Sequence, residues 1–323
     1  IMLPRVSVIV PAYNSENTIG RCLSAIEAQD YRLRLYEVIV VDDGSRDGTA
    51  EVIKGRVVKY FWQTNKGPAT ARNKGVEKAT GEIILFTDAD CVPERNWIRE
   101  MARPFDDKEV AAVKGAYRTG QKEIVARFCQ IEFEERFEML RKAASIDMID
   151  TYSAGFRKDI FDKMGGFDTS FPAANNEDTE LSYRMSAKGF KMVFNPNAVV
   201  SHLNHPASIK RYARIKFWRG YWRMVVYKRF PDKMLKDTYT PQTLKFQTLL
   251  SLIAALSFPL SLFIRPWGGI FFTAAAAFFF LTTLPFLKIA LLRDPLVAPF
   301  APALLFLRAV SIGAGALWGT IKR

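Results

Sequence analysis

An α/β domain built on a mostly parallel sheet, followed by a basic amphipathic segment and an apolar helical region, is the architecture this sequence predicts. Three observations carry that expectation. Short apolar runs rich in β-branched residues alternate with helical stretches near the start of the chain, the order that builds a parallel sheet with right-handed crossovers. Charge is partitioned: residues 1–205 hold 29 Lys+Arg against 30 Asp+Glu, residues 206–245 eleven bases against Asp232 and Asp237, and residues 246–323 six bases against Asp294 alone. Finally, Phe246–Ile264 and Pro266–Leu287 contain no charged residue, and each is long enough to cross a bilayer core of about 30 Å. The expected domains are 1–205, 206–245 and 246–323.

Taken in order, "VSVIV" (Val6–Val10) and "EVIVVD" (Glu37–Asp42) read as strands covered on both faces, and "VVKYFW" (Val57–Trp62) and "EIILFT" (Glu82–Thr87) follow them. Helices are expected between them over Thr18–Ala28, Thr49–Lys54, Pro68–Ala79 and Arg95–Phe105. Lys122–Ala144 carries Ile124, Phe128, Ile131, Phe133, Phe137 and Leu140 at three-to-four spacing, which predicts an amphipathic helix with a packing role. A shorter helix is expected over Asp178–Lys188, opening at "NNED". Ser208–Phe230 interleaves bases with Tyr212, Phe217, Trp218, Tyr221 and Trp222, the pattern of a helix lying in a lipid interface.

The polar segments "PAYNSEN", "DDGSRDGT", "NKGPATARN" and "DADC" each fall just after a strand. In open α/β sheets the ligand binds outside those carboxyl ends, so four loops are expected to meet on one edge. Neither a dinucleotide-binding glycine fingerprint nor a P-loop is present. In "ILFTDADCVP", Asp88 and Asp90 follow a buried run, and side chains two apart on a strand point the same way. Two acids so placed need a neutralising partner, and a hard divalent cation such as Mg²⁺ or Mn²⁺ suits an oxygen pair; two solvated loop aspartates are the plainer alternative. Asp42 and Asp43 in "DDGS" are placed to accept N–H donors of a base or a ribose hydroxyl, or merely to shape a turn. In "NNED", Glu177 and Asp178 suit a negative helix start as well as they suit proton transfer.

In this arrangement the sequence resembles family 2 glycosyltransferases of the GT-A fold. The resemblance is carried by "VSVIVPAYNSENTI", "VIVVDDGSRDGT", "NKGPATARNKG", "ILFTDADCVP", "GGFDTSF", "NNEDTELSYRMSAKGFKM" and "NPNAVVSH", in register over residues 6–202. It implies that Pro11, Ala12, Tyr13, Glu16, Val41 and Asp43 contact the nucleotide of a sugar donor, and that Arg72 helps to position it. It further implies that Asp88, Ala89 and Asp90 meet ribose, diphosphate and metal, with Asp90 the direct ligand, and that Gly155 lies near the transferred sugar. Asp178 becomes the general base, with Glu177 beside it, and His202 a late metal ligand. UDP is the family's commonest nucleotide.

A base is needed for a hydroxyl acceptor, whereas a lipid monophosphate is already anionic at neutral pH. "NNED" therefore points to a hydroxyl on a lipid-linked saccharide or glycolipid. Transfer to polyprenyl phosphate, or a non-catalytic nucleotide-sugar-binding scaffold, are the alternatives. The Q-x-x-R-W motif of processive synthases is missing from "SIKRYARIKFWRGYW", which favours single-sugar addition. The basic block ahead of the apolar runs predicts a multi-pass cell-membrane protein whose catalytic domain faces the cytoplasm, with membrane lipids rather than nucleic acid as the partner. The third apolar stretch, Pro295–Ile321, is a weaker span because Pro299, Pro302 and Arg308 interrupt it. Cys22, Cys91 and Cys129 show no paired spacing and read as reduced thiols.

Overall fold

A computed structural model describes residues 3–171, 175–264 and 266–321, with the side chains of 256 and 260–262 outside the described set. The chain divides into two compact units, residues 1–120 with 140–204, and residues 121–139 with 205–323.

The first unit is a mixed, largely parallel sheet with helices. In chain order its elements are β1 (Val6–Ala12), α1 (Ile19–Glu27), β2 (Tyr36–Asp42), α2 (Thr49–Ile53), β3 (Lys59–Trp62), α3 (Pro68–Glu77), β4 (Ile83–Thr87), β5 (Cys91–Pro93), α4 (Trp97–Ala102) and β6 (Val110–Arg118). The next helix, α5 (Ile124–Leu140), belongs to the second unit; β7 (Ser153–Arg157), α6 (Lys158–Lys163), α7 (Glu177–Ala187) and β8 (Lys191–His202) complete the first. The strand order is β3-β2-β1-β4-β7-β6-β8-β5. β3, β2, β1 and β4 run parallel, as their continuous apolar runs predict, and β4–β7, β7–β6 and β8–β5 are antiparallel. Ala12 pairs with Asp42 and Ile9 with Phe86, so β1, β2 and β4 end on one edge and release their loops together. Below the loops, Phe86, Phe156, Phe161 and Phe167 form a cluster with ring centroids 5.3–6.5 Å apart.

The second unit is helical: α5, then α8 (Ile209–Arg229), α9 (Pro231–Leu235), α10 (Gln242–Phe263), α11 (Trp267–Arg293) and α12 (Ala301–Ile321). Its core joins Phe128 of α5 and Tyr212 of α8 to Phe286 of α11 and Leu305 of α12. Ser208 caps α8 by accepting from the Arg211 amide (3.3 Å), the role expected of a serine ahead of a helix. Unlike a helix lying alone in an interface, α8 buries Tyr212, Lys216, Gly220 and Val226 against its helical neighbours. Trp267–Arg293 and Ala298–Ile321, with mean hydropathies of 2.0 and 1.7, are long and apolar enough to cross a membrane. Despite Pro302, α12 is one unbroken helix; the charge-free run Phe246–Ile264 falls mostly on α10.

Candidate active site

The loops that leave the sheet edge are laced together by short polar side chains. Asn14, in a left-handed conformation (φ 47°), donates its amide to Ser45 Oγ (2.9 Å) and accepts from the Arg46 amide (2.9 Å). The Ser15 amide donates to Thr49 Oγ1 (2.7 Å), and Glu16 accepts from the Gly48 amide (2.7 Å) at the start of α2. Beside this lattice a cleft of about 330 Å³ opens, lined by Pro11, Tyr13, Ser15, Ala89, Asp90 and Asn204 among others. Four of the residues expected to meet the donor, Pro11, Tyr13, Ala89 and Asp90, therefore share one cavity.

Others expected there also have work inside the fold. Asp43 is buried, and its carboxylate accepts from Gln63 Nε2 (2.7 Å), the Lys66 amide (2.9 Å) and the Gly67 amide (2.9 Å). It fixes the approach to α3, where Gly67 turns through φ 89° and Pro68 opens the helix. Asp42 accepts from the Ser45 amide and from Tyr60 (2.8 Å each). Ala12 and Val41 are buried strand residues, and Glu16 spends a carboxylate oxygen on α2. Gly155 lies inside β7, two residues from the edge, where a Cβ would stand 2.8 Å from Leu85 and 3.2 Å from Met101. Its lack of a side chain serves packing at that point of the sheet.

Asp88 and Asp90 are not stacked along a strand. β4 stops at Thr87, and the Cys91 amide turns back to the Asp88 carbonyl (2.9 Å), so the two carboxylates take different partners. Arg72, one turn into α3 and 2% exposed, donates Nη2 to Asp88 (2.9 Å) and Nη1 to Glu177 (2.8 Å). The positive group beside Asp88 is thus an arginine, and that same arginine reaches the first residue of α7. Arg72 Nε and Glu177 Oε2 are both buried and have no hydrogen-bond partner among the described residues.

Asp90 faces His202 instead. The antiparallel pairing of Cys91 with His202, and the Leu203 amide donating to the Asp90 carbonyl (2.9 Å), bring the Asp90 carboxylate to 3.8 Å from His202 Nε2. Asp90, His202 and Cys91 are the group within reach of one metal ion among the described residues; Asp88 is not in it. Cys91 is sealed in the interior, and burial first, then Asp88 and Asp90, push its thiol well above the ordinary value. A carboxylate that lines the cleft and an imidazole 3.8 Å from it fit a divalent cation. His202 Nδ1 accepts from the Asn204 amide (3.2 Å), so ligation through Nε2 requires that bond to be released.

On the other flank Asp178 is the second residue of α7, which Asn176 caps in a left-handed conformation (φ 68°). Its carboxylate accepts from the Thr179 amide (2.7 Å). Although it keeps some solvent access, burial, then Glu177 and Asp150, lift its pKa to about 7, against the lowering pull of Arg72 and the Thr179 amide. Asp150 is itself paired with Lys114, a fully buried lysine of β6 that also donates to Tyr152 (2.9 Å). Sequence reasoning missed Lys114, Asp150 and Tyr152, which lie outside the motif segments. It also missed Asn73, whose side-chain amide pairs with both backbone groups of Phe167 (2.8 and 2.9 Å) and ties α3 to the "GGFDTSF" segment. The lone buried lysine in "AAVKGAY" was the available signal for Lys114.

A sheet of this order with polar loops gathered at one edge, an acidic turn after β4 and a raised carboxyl at the head of α7 is the arrangement expected of a glycosyltransferase. Residues 7–165 match the family described as Glycosyl transferase family 2, and the chain belongs to that family. It is 28% identical over 216 residues to glycosyltransferase AglE of Haloferax volcanii, covering 63% of this chain and 68% of that one. It is 30% identical over 237 residues to the probable glycosyltransferase YdaM of Bacillus subtilis, covering 68% of this chain and 53% of that one. Thus it spans about two thirds of the first relative and about half of the second. Among solved structures it resembles a mannosyltransferase of Pyrobaculum calidifontis in complex with GDP-Man and Mn²⁺, with TM-score 0.63, 24% identity, and 99% and 88% of the two chains covered. A likeness at that identity speaks for the fold.

Proposed function

We propose that this chain is a metal-dependent, inverting glycosyltransferase that moves one sugar from a nucleoside-diphosphate sugar to a hydroxyl of a membrane-held acceptor. The observation that carries this reading is the arginine bridge from Asp88 to Glu177, next to Asp178, a carboxyl whose pKa burial raises to about 7. A sugar hydroxyl is a poor nucleophile until its proton leaves, and a carboxylate with a pKa near the working pH is the efficient acceptor. The donor would occupy the cleft bounded by Pro11, Tyr13, Ala89 and Asp90. Arg72 holds the β4 loop and the head of α7 at a fixed separation, so that the donor and base sides keep register.

Asp90 and His202 would hold the cation, which when bound supplies positive charge against the leaving diphosphate. The imidazole in that pair favours Mn²⁺ over Mg²⁺. The P. calidifontis enzyme holds GDP-Man with Mn²⁺, and a second neighbour of the fold, GalNAc-T7 (TM-score 0.51, 18% identity), holds UDP with Mn²⁺, so both nucleotides belong in the assay. The second unit would keep the chain at the membrane, its basic α8 drawn to the anionic cytoplasmic leaflet.

The test is transfer from UDP- and GDP-linked sugars with Mn²⁺, offered a lipid-linked saccharide and polyprenyl phosphate in parallel. Asp178→Asn is expected to lower transfer to the saccharide by about 10²–10⁴-fold while nucleotide binding persists. Efficient transfer to the phosphate alone, indifferent to that substitution, defeats the reading, as does nucleotide-sugar binding without turnover.

A further inference from the structure

The last apolar helix, α12, passes the length and hydropathy test for a membrane span, yet its packing argues against a crossing. Arg308, 1% exposed, points inward and donates to Glu132 of α5 (3.2 Å) and to Gln247 of α10 (2.8 Å). Lys216 of α8 donates to the same Glu132 carboxylate (2.8 and 3.0 Å). That carboxylate therefore pins α8 and α12 side by side at residues 216 and 308.

From this pin the two helices run parallel in close contact. A Cβ on Gly220 would strike the Ile312 carbonyl, and one on Gly315 would strike the Phe217 carbonyl. A Cβ on Gly319 would stand 2.7 Å from the Tyr221 carbonyl oxygen, and Lys228 donates to the Gly319 carbonyl (2.9 Å). Glycines let helix backbones approach this closely, and here they fix the register over most of both helices. Whatever depth α12 occupies, α8 occupies too. But α8 carries Lys210, Arg211, Arg214, Lys216, Arg219, Arg223, Lys228 and Arg229 and no acid, a composition the hydrocarbon core does not accept.

We infer that α12 does not cross the bilayer: it lies along the membrane surface as the partner of α8, and the second unit meets lipid through the outward apolar face of α10, α11 and α12. Ile253 of α10, Phe271, Phe278 and Leu281 of α11, and Phe306 and Val310 of α12 are all exposed. The inference rests on the membrane-held reading proposed above and sets its topology.

The three native cysteines are buried, so a single introduced thiol can be read against them. Lys210→Cys and Thr320→Cys sit at opposite ends of the α8–α12 pair, both at exposed positions. The full chain with either thiol is expressed, floated on a density gradient with its membranes, and treated with an impermeant maleimide in right-side-out and inverted vesicles. Both thiols are expected to react from the same face, with labelling from the other face lost for both. Reaction of Lys210→Cys from one face and Thr320→Cys from the other overturns the inference and makes α12 a span. Failure of the chain to float without detergent instead overturns the membrane reading beneath it.

Discussion

Each unit contains an arginine that is almost wholly buried and set between two carboxylates, and the two differ in what those carboxylates are attached to. Arg72 lies between Asp88 and Glu177, each at 2.8–2.9 Å, with the Phe167 ring at 5.9 Å. Arg308 lies between Glu132 at 3.2 Å and Glu135 at 3.9 Å, with the Phe286 ring at 5.9 Å. Around Arg308 every partner is a helix residue whose neighbours pack. Around Arg72 the partners end in chemistry: Asp90 is two residues past Asp88, and Asp178 is one residue past Glu177. One and the same physical device, a buried guanidinium set between two acids, locks a helical bundle in one place and aligns two halves of a site in the other.

The largest effect expected is common to both. Replacing one partner of a buried ion pair strands the other, at a cost of about 3–5 kcal/mol, so Arg72→Met should lower unfolding free energy by that order, and Arg308→Met by somewhat less because Lys216 still holds Glu132. Denaturant melts of the two variants check this, and equal stability to the parent breaks the comparison at its root. What separates them is the pH profile of transfer. Arg72 lowers the Asp178 pKa, so its removal should move the acid limb of the profile above the parent's position near pH 7. Arg308→Met should leave that limb where it was.

Asp178 itself carries the next effect, and its sign runs opposite to the usual carboxylate. Its pKa is raised from 3.8 unfolded to about 7 folded, so between those values the native state binds more protons than the unfolded one. Stability supplied by the protonated form is therefore present at acid pH and is lost as pH rises through that window. Asp178→Asn, already expected to abolish most transfer, should raise the melting temperature at pH 8 and lose that advantage by about pH 4. A variant less stable than the parent at pH 8 would mean that the carboxylate is favoured where it sits. On the donor flank, His202→Asn should weaken Mn²⁺-dependent nucleotide binding by at least about tenfold while leaving binding without metal unchanged. Calorimetry with and without Mn²⁺ reads the difference.

The sheet was legible because its strands are unbroken apolar runs that suit no other environment, and the loops because their polar residues sit just past those runs. What escaped was pairing at long range. "DADC" reads as two matched ligands only if the strand continues through it; β4 ends at Thr87, and the turn sends Asp88 to an arginine sixteen residues back and Asp90 to His202. The internal bonds of Asp43 were equally hidden, because nothing local shows that the amides of Lys66 and Gly67 will come to it. α8 read as a lone interfacial helix for a similar reason: its glycine, Gly220, gains meaning only beside the α12 glycines a hundred residues later. Periodicity reports which face of a helix is apolar, not which partner covers it.

The smallest effects are expected at the two side-chain amides that prop these arginine sites, and they give the most sensitive comparison. Asn73 bonds both backbone groups of Phe167, whose ring lies against Arg72, while Gln247 bonds Arg308 directly and donates to the Thr282 carbonyl (3.2 Å). Each substitution, Asn73→Ala or Gln247→Ala, removes two neutral or charge-assisted hydrogen bonds and should cost about 1–3 kcal/mol, less than loss of either arginine. Their kinetic consequences should diverge. Freed from Asn73, the Phe167 segment no longer buttresses Arg72, so KM for the donor should rise with little change in melting temperature beyond the stability loss. Gln247→Ala should change stability alone. If Gln247→Ala raised KM as much as Asn73→Ala, the second arginine site would be coupled to the chemistry, and the division between a locking and an aligning arginine would fail.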